Sequence, residues 1–137
     1  MPEFNGGCLC GKIRYQSKTD VVLQGNCHCI DCKKVSGSPF TTYVCVPEET
    51  LNIMGELKIF TWTSDSGNDV THEFCTDCGS QVIHKSPIMA PGMVMLKSGT
   101  LDDMEDVKPA FDMFVNKKCQ HVIMDESLGK FNGMPDL

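Results

Sequence analysis

Cys27-His28-Cys29-Ile30-Asp31-Cys32 places three cysteines within six residues. In an extended chain the side chains at i and i+2 point to one face. Cys27 and Cys29 therefore reach a common point while His28 turns away. A turn after Cys29 brings Cys32 back to that point, as in a C-x-x-C metal knuckle. Three thiolates on one zinc ion leave a position for an incoming ligand, whereas four close the site. The rest of the chain either closes this triplet or frames it.

The totals narrow the setting. A chain of 137 residues is read as one domain, 1–137, with enough length for an ordinary core. With 41% apolar and 22% charged residues it falls among globular sequences, and no apolar run approaches the roughly 20 residues of a membrane helix. The net charge of −6 argues against a phosphate-binding face, so no nucleic-acid partner is expected. The start, Met1-Pro2-Glu3-Phe4-Asn5-Gly6-Gly7, has neither a basic segment nor an apolar one and reads as no secretory signal. Of nine cysteines, those in tight C-x-C and C-x-x-C groups then read as metal sites in a reducing compartment, cytoplasmic or nuclear. C-x-C is also a poor disulfide, because the ring it closes is small and strained.

Outward from the triplet, short strands alternate with turns. Gly6-Gly7-Cys8-Leu9-Cys10-Gly11 is a second C-x-C bracketed by glycines that let the backbone turn closely. Strands are expected over 12–16, 21–26, 40–46, 51–54, 56–63, 70–74, 81–85, 92–97 and 110–115, from β-branched and aromatic content and alternation. One helical turn is expected over 30–35, ended by Ser36-Gly37-Ser38-Pro39, and Gly55 marks a bend. Residues 101–107 read as an acidic turn with a short helix, and the tail from Cys119 is weakly patterned. Cys75-Thr76-Asp77-Cys78-Gly79 is the third metal-type motif, held between the strands 70–74 and 81–85. The sum is a mainly β domain.

Seven cysteines thus fall in three groups, and spacing admits two pairings. Joining Cys8 and Cys10 to Cys75 and Cys78 gives a closed site and leaves the triplet open; the compactness of a local triplet favours this. Joining Cys8 and Cys10 to Cys29 and Cys32 leaves Cys75 and Cys78 with Cys27 and another donor. Cys45 reads as a small buried hydrophobe, with a lesser reading as a fourth ligand of the triplet, and Cys119 as a spare thiol. His28 is expected behind the metal or at the surface, and His72, His84 and His121 receive no role. The nine methionines read as core filler. Lys33 and Lys34, beside the open site, read as a solvated turn or as an anion clamp, and Ser36 to Ser38 as a turn or as a source of N–H donors.

Taken together, Gly7-Cys8-Leu9-Cys10-Gly11-Lys12-Ile13-Arg14-Tyr15, Cys27 to Lys34 with Ser36-Gly37-Ser38, and Phe74-Cys75-Thr76-Asp77-Cys78-Gly79-Ser80 resemble the glutathione-dependent formaldehyde-activating enzyme family, to which centromere protein V belongs. Gly99-Thr100-Leu101-Asp102-Asp103 and Phe131-Asn132-Gly133-Met134-Pro135 also look like family segments, so the resemblance runs over nearly the whole chain. It implies a β-tent fold with two zinc ions. The structural zinc would map to Cys8, Cys10, Cys75 and Cys78, and the active-site zinc to Cys27, Cys29 and Cys32. The implied activity is that of a zinc-dependent carbon–sulfur lyase joining glutathione to formaldehyde as S-hydroxymethylglutathione. The alternative reading is a non-catalytic zinc scaffold that binds a protein partner; a redox enzyme using Cys119 is a third. Near Cys119 many family members carry an Arg and a Trp, where this chain has Lys118-Cys119-Gln120.

Overall fold

The computed structural model of the chain describes residues 2–20 and 22–135. Strands β1 (Glu3–Gly7) and β2 (Arg14–Lys18) open the chain, followed by β3 (Leu23–Cys27), helix α1 (Ile30–Ser36), β4 (Thr41–Pro47) and β5 (Leu51–Met54). Then come β6 (Leu57–Thr63), β7 (Asp69–Cys75), β8 (Gln81–Lys85), β9 (Met93–Lys97), β10 (Phe111–Met113) and β11 (Gly129–Lys130). They form a three-stranded sheet ordered β1-β2-β5 and an eight-stranded sheet ordered β11-β10-β3-β4-β9-β8-β7-β6. The structure is mainly β and largely antiparallel, as the sequence suggests; among the described strands the parallel pairs are those of β10 with β3 and with β11.

Register gives the large sheet two dissimilar faces. In β4 and β9, Val44 pairs with Leu96 and Val46 with Val94. These four side chains are fully buried in one core with Ile13, Tyr15, Val82 and Ile83. Burying each such aliphatic side chain is worth roughly 1.5–3 kcal/mol, before the entropy of ordering the chain is subtracted. Period-2 alternation sends Tyr43, Cys45 and Met95 to the opposite face. There a second core gathers Cys27, Cys32, Tyr43, Met95, Phe111 and Met113. Both faces of β4 are covered, which is why Thr41 to Val46 reads as a continuous apolar and β-branched run.

Three sequence expectations change. Gly6 and Gly7, read as bracketing the turn around Cys8 and Cys10, instead end a strand, Glu3–Gly7. Gly7 is needed for close approach, since a Cβ there would lie 2.1 Å from the Ile13 carbonyl oxygen. The strand expected over 110–115 stops at Met113, because Phe114 adopts a left-handed conformation at φ 55° and a 3-10 turn, Val115–Lys117, follows. In the tail, Gly129–Lys130 extends the sheet as β11. Of the strand expected over 21–26, Val21 lies outside the described residues; the strand observed there is β3, Leu23–Cys27.

Candidate metal centres and the cavity beside them

Cys8 and Cys10 lie in the loop between β1 and β2, while Cys75 ends β7 and Cys78 lies in the turn that follows to β8. The two turns are built alike. Gly11 N–H donates to the Cys8 carbonyl at 3.2 Å and Gly79 N–H to the Cys75 carbonyl at 2.8 Å. Both glycines have positive φ, 84° and 74°, a conformation that side chains disfavour. The four sulfurs lie within 4.8 Å of one another. Tetrahedral zinc with Zn–S bonds of about 2.3 Å spaces its sulfurs about 3.8 Å apart. Cys8 and Cys10 Sγ are 3.5 Å apart, and Cys10 and Cys75 Sγ 3.7 Å. Amide donors already address the sulfurs, with Ile13 N–H donating to Cys8 Sγ at 3.2 Å. Hydrogen bonding from the Ser80 hydroxyl, then from its backbone N–H, draws Cys78 down to about 5. The donor set and spacing fit a metal ion.

The triplet forms on the other face. Cys27 ends β3, and Cys29 caps α1 in an extended conformation, its Sγ accepting from Cys32 N–H at 3.2 Å. One helical turn returns Cys32 Sγ to 3.2 Å from Cys27 Sγ. The three sulfurs lie within 4.8 Å of one another, and among the described residues no fourth His, Cys, Asp or Glu joins them. Cys45 and Cys119 stay outside both clusters. Hydrogen bonds from Cys27 and Cys32 pull Cys29 down to about 3, while the same sharing pushes Cys27 up. Such a group of thiols gives up its remaining protons when a metal ion enters. Tyr43 Oη lies 3.4 Å from Cys32 Sγ, and the buried Lys97 Nζ 3.2 Å from Tyr43 Oη. An ammonium only donates, so Tyr43 accepts from Lys97 and turns its own hydrogen toward Cys32 Sγ. Burial, reinforced by the triplet sulfurs, holds the Tyr43 phenol well above its ordinary pKa.

A cavity of about 250 Å³ opens over the triplet. Its walls come from the same sheet face by register. Met95 pairs with His84, His84 with His72 and His72 with Phe60, while Val70 pairs with Trp62. Trp62 Nε1 donates to Asp31 Oδ2 at 2.9 Å, tying the outer strand to α1. Burial, with Lys97 nearby, pulls His84 down to about 4, so its imidazole is neutral at pH 7. Met113 and Phe114 close the side toward β10.

Residues 3–117 match the family model described as glutathione-dependent formaldehyde-activating enzyme. The chain belongs to that family. It is 26% identical over 80 residues to an uncharacterized lyase of Schizosaccharomyces pombe, a match that covers 58% of this chain and 56% of the relative. The chain thus spans little more than half the length of that curated protein. A crystal structure of a Rhodobacter sphaeroides protein superposes with a TM-score of 0.58 at 18% identity, covering 77% of this chain and 91% of the other, and so shares the fold.

For several residues of this glutathione-dependent formaldehyde-activating enzyme family member the structure chooses between the readings the sequence leaves open, and for His84 and the methionines it adds a place in the cavity wall. Lys33 and Lys34 do not line the cavity; Lys33 Nζ donates to the Lys117 carbonyl at 2.5 Å and Lys34 is exposed. Ser36 to Ser38 form the helix end, with Gly37 as the left-handed cap and Ser36 Oγ donating to the Cys32 carbonyl at 2.6 Å. His84, given no role from sequence, is part of the cavity wall. Met89, Met95, Met113 and Met134 line the cavity, so they are more than core filler. Cys119 lies outside it, with Sγ 3.9 Å from the Pro39 carbonyl oxygen.

His28 does turn away from the sulfurs, but it is buried rather than at the surface. Its ring stacks on Phe40, and its Nε2 lies 3.3 Å from Asp112 Oδ1. Asp112 also accepts from Asn26 Nδ2 at 2.9 Å and pairs with Lys130 Nζ at 3.1 Å. Burial alone would raise the Asp112 pKa, yet hydrogen bonds from Asn26, Lys130 and His28 outweigh it and hold the carboxyl low. A depressed folded pKa contributes stability that is present above the unfolded value of about 3.9 and is lost as pH falls through the folded value. Asp112→Asn is expected to cost about 1–3 kcal/mol at pH 7. It should also flatten the fall of Tm below about pH 4. Thermal melts from pH 7 to pH 2.5 on both proteins check this; parallel acid limbs would remove Asp112 from the account.

Proposed function

We propose that residues 1–137 are one zinc domain of β-tent type that catalyses carbon–sulfur bond chemistry, joining a thiol to a small aldehyde and cleaving the adduct in reverse. The family description supplies glutathione and formaldehyde as the reference pair. The observation that carries the reading is the three-cysteine cluster at the base of a cavity, where a metal would keep an open position. That cavity favours an enzyme over a scaffold. Cys8, Cys10, Cys75 and Cys78 would hold the structural zinc, and Cys27, Cys29 and Cys32 the catalytic one.

Zinc bound at the triplet supplies a Lewis acid that lowers the pKa of a neighbouring thiol. Three thiolates and a divalent ion together carry a single negative charge, which the buried Lys97 ammonium offsets through Tyr43. The Tyr43 hydroxyl keeps its own proton, directed at Cys32 Sγ, and so orients that sulfur. The cavity walls exclude water and hold the two reactants together, so part of the rate gain is proximity. In the reaction the thiol sulfur bonds to the carbonyl carbon as the carbonyl π bond opens, and the thiol proton ends on the new hydroxyl. The sum is redox-neutral. All nine cysteines are free thiols, which fits a reducing compartment, cytoplasmic or nuclear. No helix among the described residues is long and apolar enough to cross a membrane.

Protein purified without chelators is expected to contain two zinc ions per chain and to accelerate exchange between formaldehyde and a thiol, measured by NMR. One ion, or dominant iron, would overturn the two-site reading. Two ions with no thiol bound at millimolar concentration would leave the scaffold reading.

A further inference from the structure

The cavity walls differ from what the tripeptide thiol needs. Glutathione presents two carboxylates and one ammonium around its thiol, and a site for it requires fixed cations or amide donors. The chain has a single arginine, Arg14, which donates to Asp102 Oδ1 at 2.9 Å, away from the cavity. Lys97 lies behind Tyr43, bonded to its hydroxyl at 3.2 Å, and is absent from the lining. Among the described residues Lys117 is the one lysine or arginine that lines the cavity, whose lining also carries two carboxylates, Asp31 and Asp65. The lining includes Trp62, Val70, Met95, Met113, Phe114 and Met134, and its two asparagine amides, Asn116 and Asn132, belong to exposed residues. Thioether and aromatic side chains adapt to apolar bodies of varied shape and offer a carboxylate nothing. The net charge of −6 adds a general repulsion of anions.

We propose that this cavity selects a thiol whose carbon body is apolar and uncharged, such as an arylalkyl thiol, over glutathione. The inference rests on the triplet being the thiol site described above, and it deepens that reading by naming the class of thiol. Sulfur enters toward Cys27, Cys29 and Cys32, and the body lies between Trp62 and the Met113–Phe114 wall. The reaction keeps the same balance: one S–C bond forms, the carbonyl π bond opens, and the proton moves from sulfur to oxygen.

Trp62 is the only tryptophan of the chain and lines the cavity, so its fluorescence reports occupancy. The zinc-loaded full chain is titrated with benzyl mercaptan and, separately, with reduced glutathione, with calorimetry as a second readout. Benzyl mercaptan is expected to saturate at a concentration at least tenfold lower. Met134→Lys, a substitution at an exposed wall position, should narrow that ratio by adding a cation. A wild-type protein that binds glutathione equally well or better overturns the inference, as does one that binds neither thiol. An adduct assay with formaldehyde separates the two readings. Tight benzyl mercaptan binding with no adduct leaves the selectivity standing and removes the lyase activity. Turnover of glutathione alone does the reverse.

Discussion

Cys78→Ser is expected to leave the chain unfolded or aggregated. The four thiols of its cluster join the β1–β2 loop to the β7–β8 turn, tying the small sheet to the large one across 65 residues between Cys10 and Cys75. Cys8 and Cys75 are themselves buried in the core that holds Val44, Val46 and Leu96. Structural zinc in small fingers is worth about 10–16 kcal/mol of apparent binding energy, and that energy is coupled to folding. A whole domain commonly has only about 5–15 kcal/mol of stability. The direct contacts between the two turns are few: Leu9 N–H donates to Ser80 Oγ at 3.1 Å, and the exposed Lys12 pairs with Asp77. An exposed pair of that kind contributes about 0–1 kcal/mol. Circular dichroism and zinc counts on the purified variant decide the matter. A variant that melts cooperatively near the wild-type temperature would show that the shared core of Phe4, Ile13 and Tyr15 with Val44, Val46 and Leu96 holds the sheets together without the cluster.

Much of this arrangement could be read from the chain, and the limits have a common cause. The positions of Cys27 and Cys29 on one side and His28 on the other follow from local alternation, so the triplet was legible. Which cysteines join Cys8 and Cys10 was favoured by the compactness of the triplet but not fixed, because spacing carries no information about which sheet face a distant strand presents. The register of β6 on β7 supplies it: Leu57 pairs with Cys75 and Ile59 with Glu73, and across β8 Glu73 pairs with Ile83. Cys75 therefore falls with Ile83 in the first core. The cavity walls were hidden for the same reason. Tyr43, His84, Met95 and Trp62 come from four strands, each an ordinary strand residue in its own segment. β1 escaped because Glu3-Phe4-Asn5-Gly6-Gly7 lacks the β-branched residues that mark strands, and its glycines suit close approach instead of a turn. Lys33 and Lys34 are near the triplet in sequence, yet α1 carries them outward, while the cation that reaches Tyr43 comes from β9.

Cys32→Ser is expected to have the opposite phenotype from Cys78→Ser: a folded protein without activity. Its cluster lies on the other face of the eight-stranded sheet, apart from the core that holds Cys8 and Cys75. The triplet spans six residues and closes almost no loop, so losing its ion removes little constraint from the fold. Serine is close to cysteine in size, and its hydroxyl can accept from Tyr43 in place of Cys32 Sγ. A cost of about 1–2 kcal/mol is expected, within the ordinary range for a buried substitution. Zinc content should fall from two ions to about one. Thiol-dependent adduct formation should fall at least about a hundredfold, since disturbing the groups around metal ligands already costs 10–100-fold. Cys119→Ser is the control; outside both clusters and the cavity, it should retain both ions and full turnover. Melting temperature, zinc content and NMR adduct rates on the three variants form one experiment. If Cys32→Ser unfolds while Cys78→Ser keeps its activity, the structural and catalytic assignments change places. If Cys119→Ser alone loses turnover, the chemistry runs through that thiol and not through the triplet.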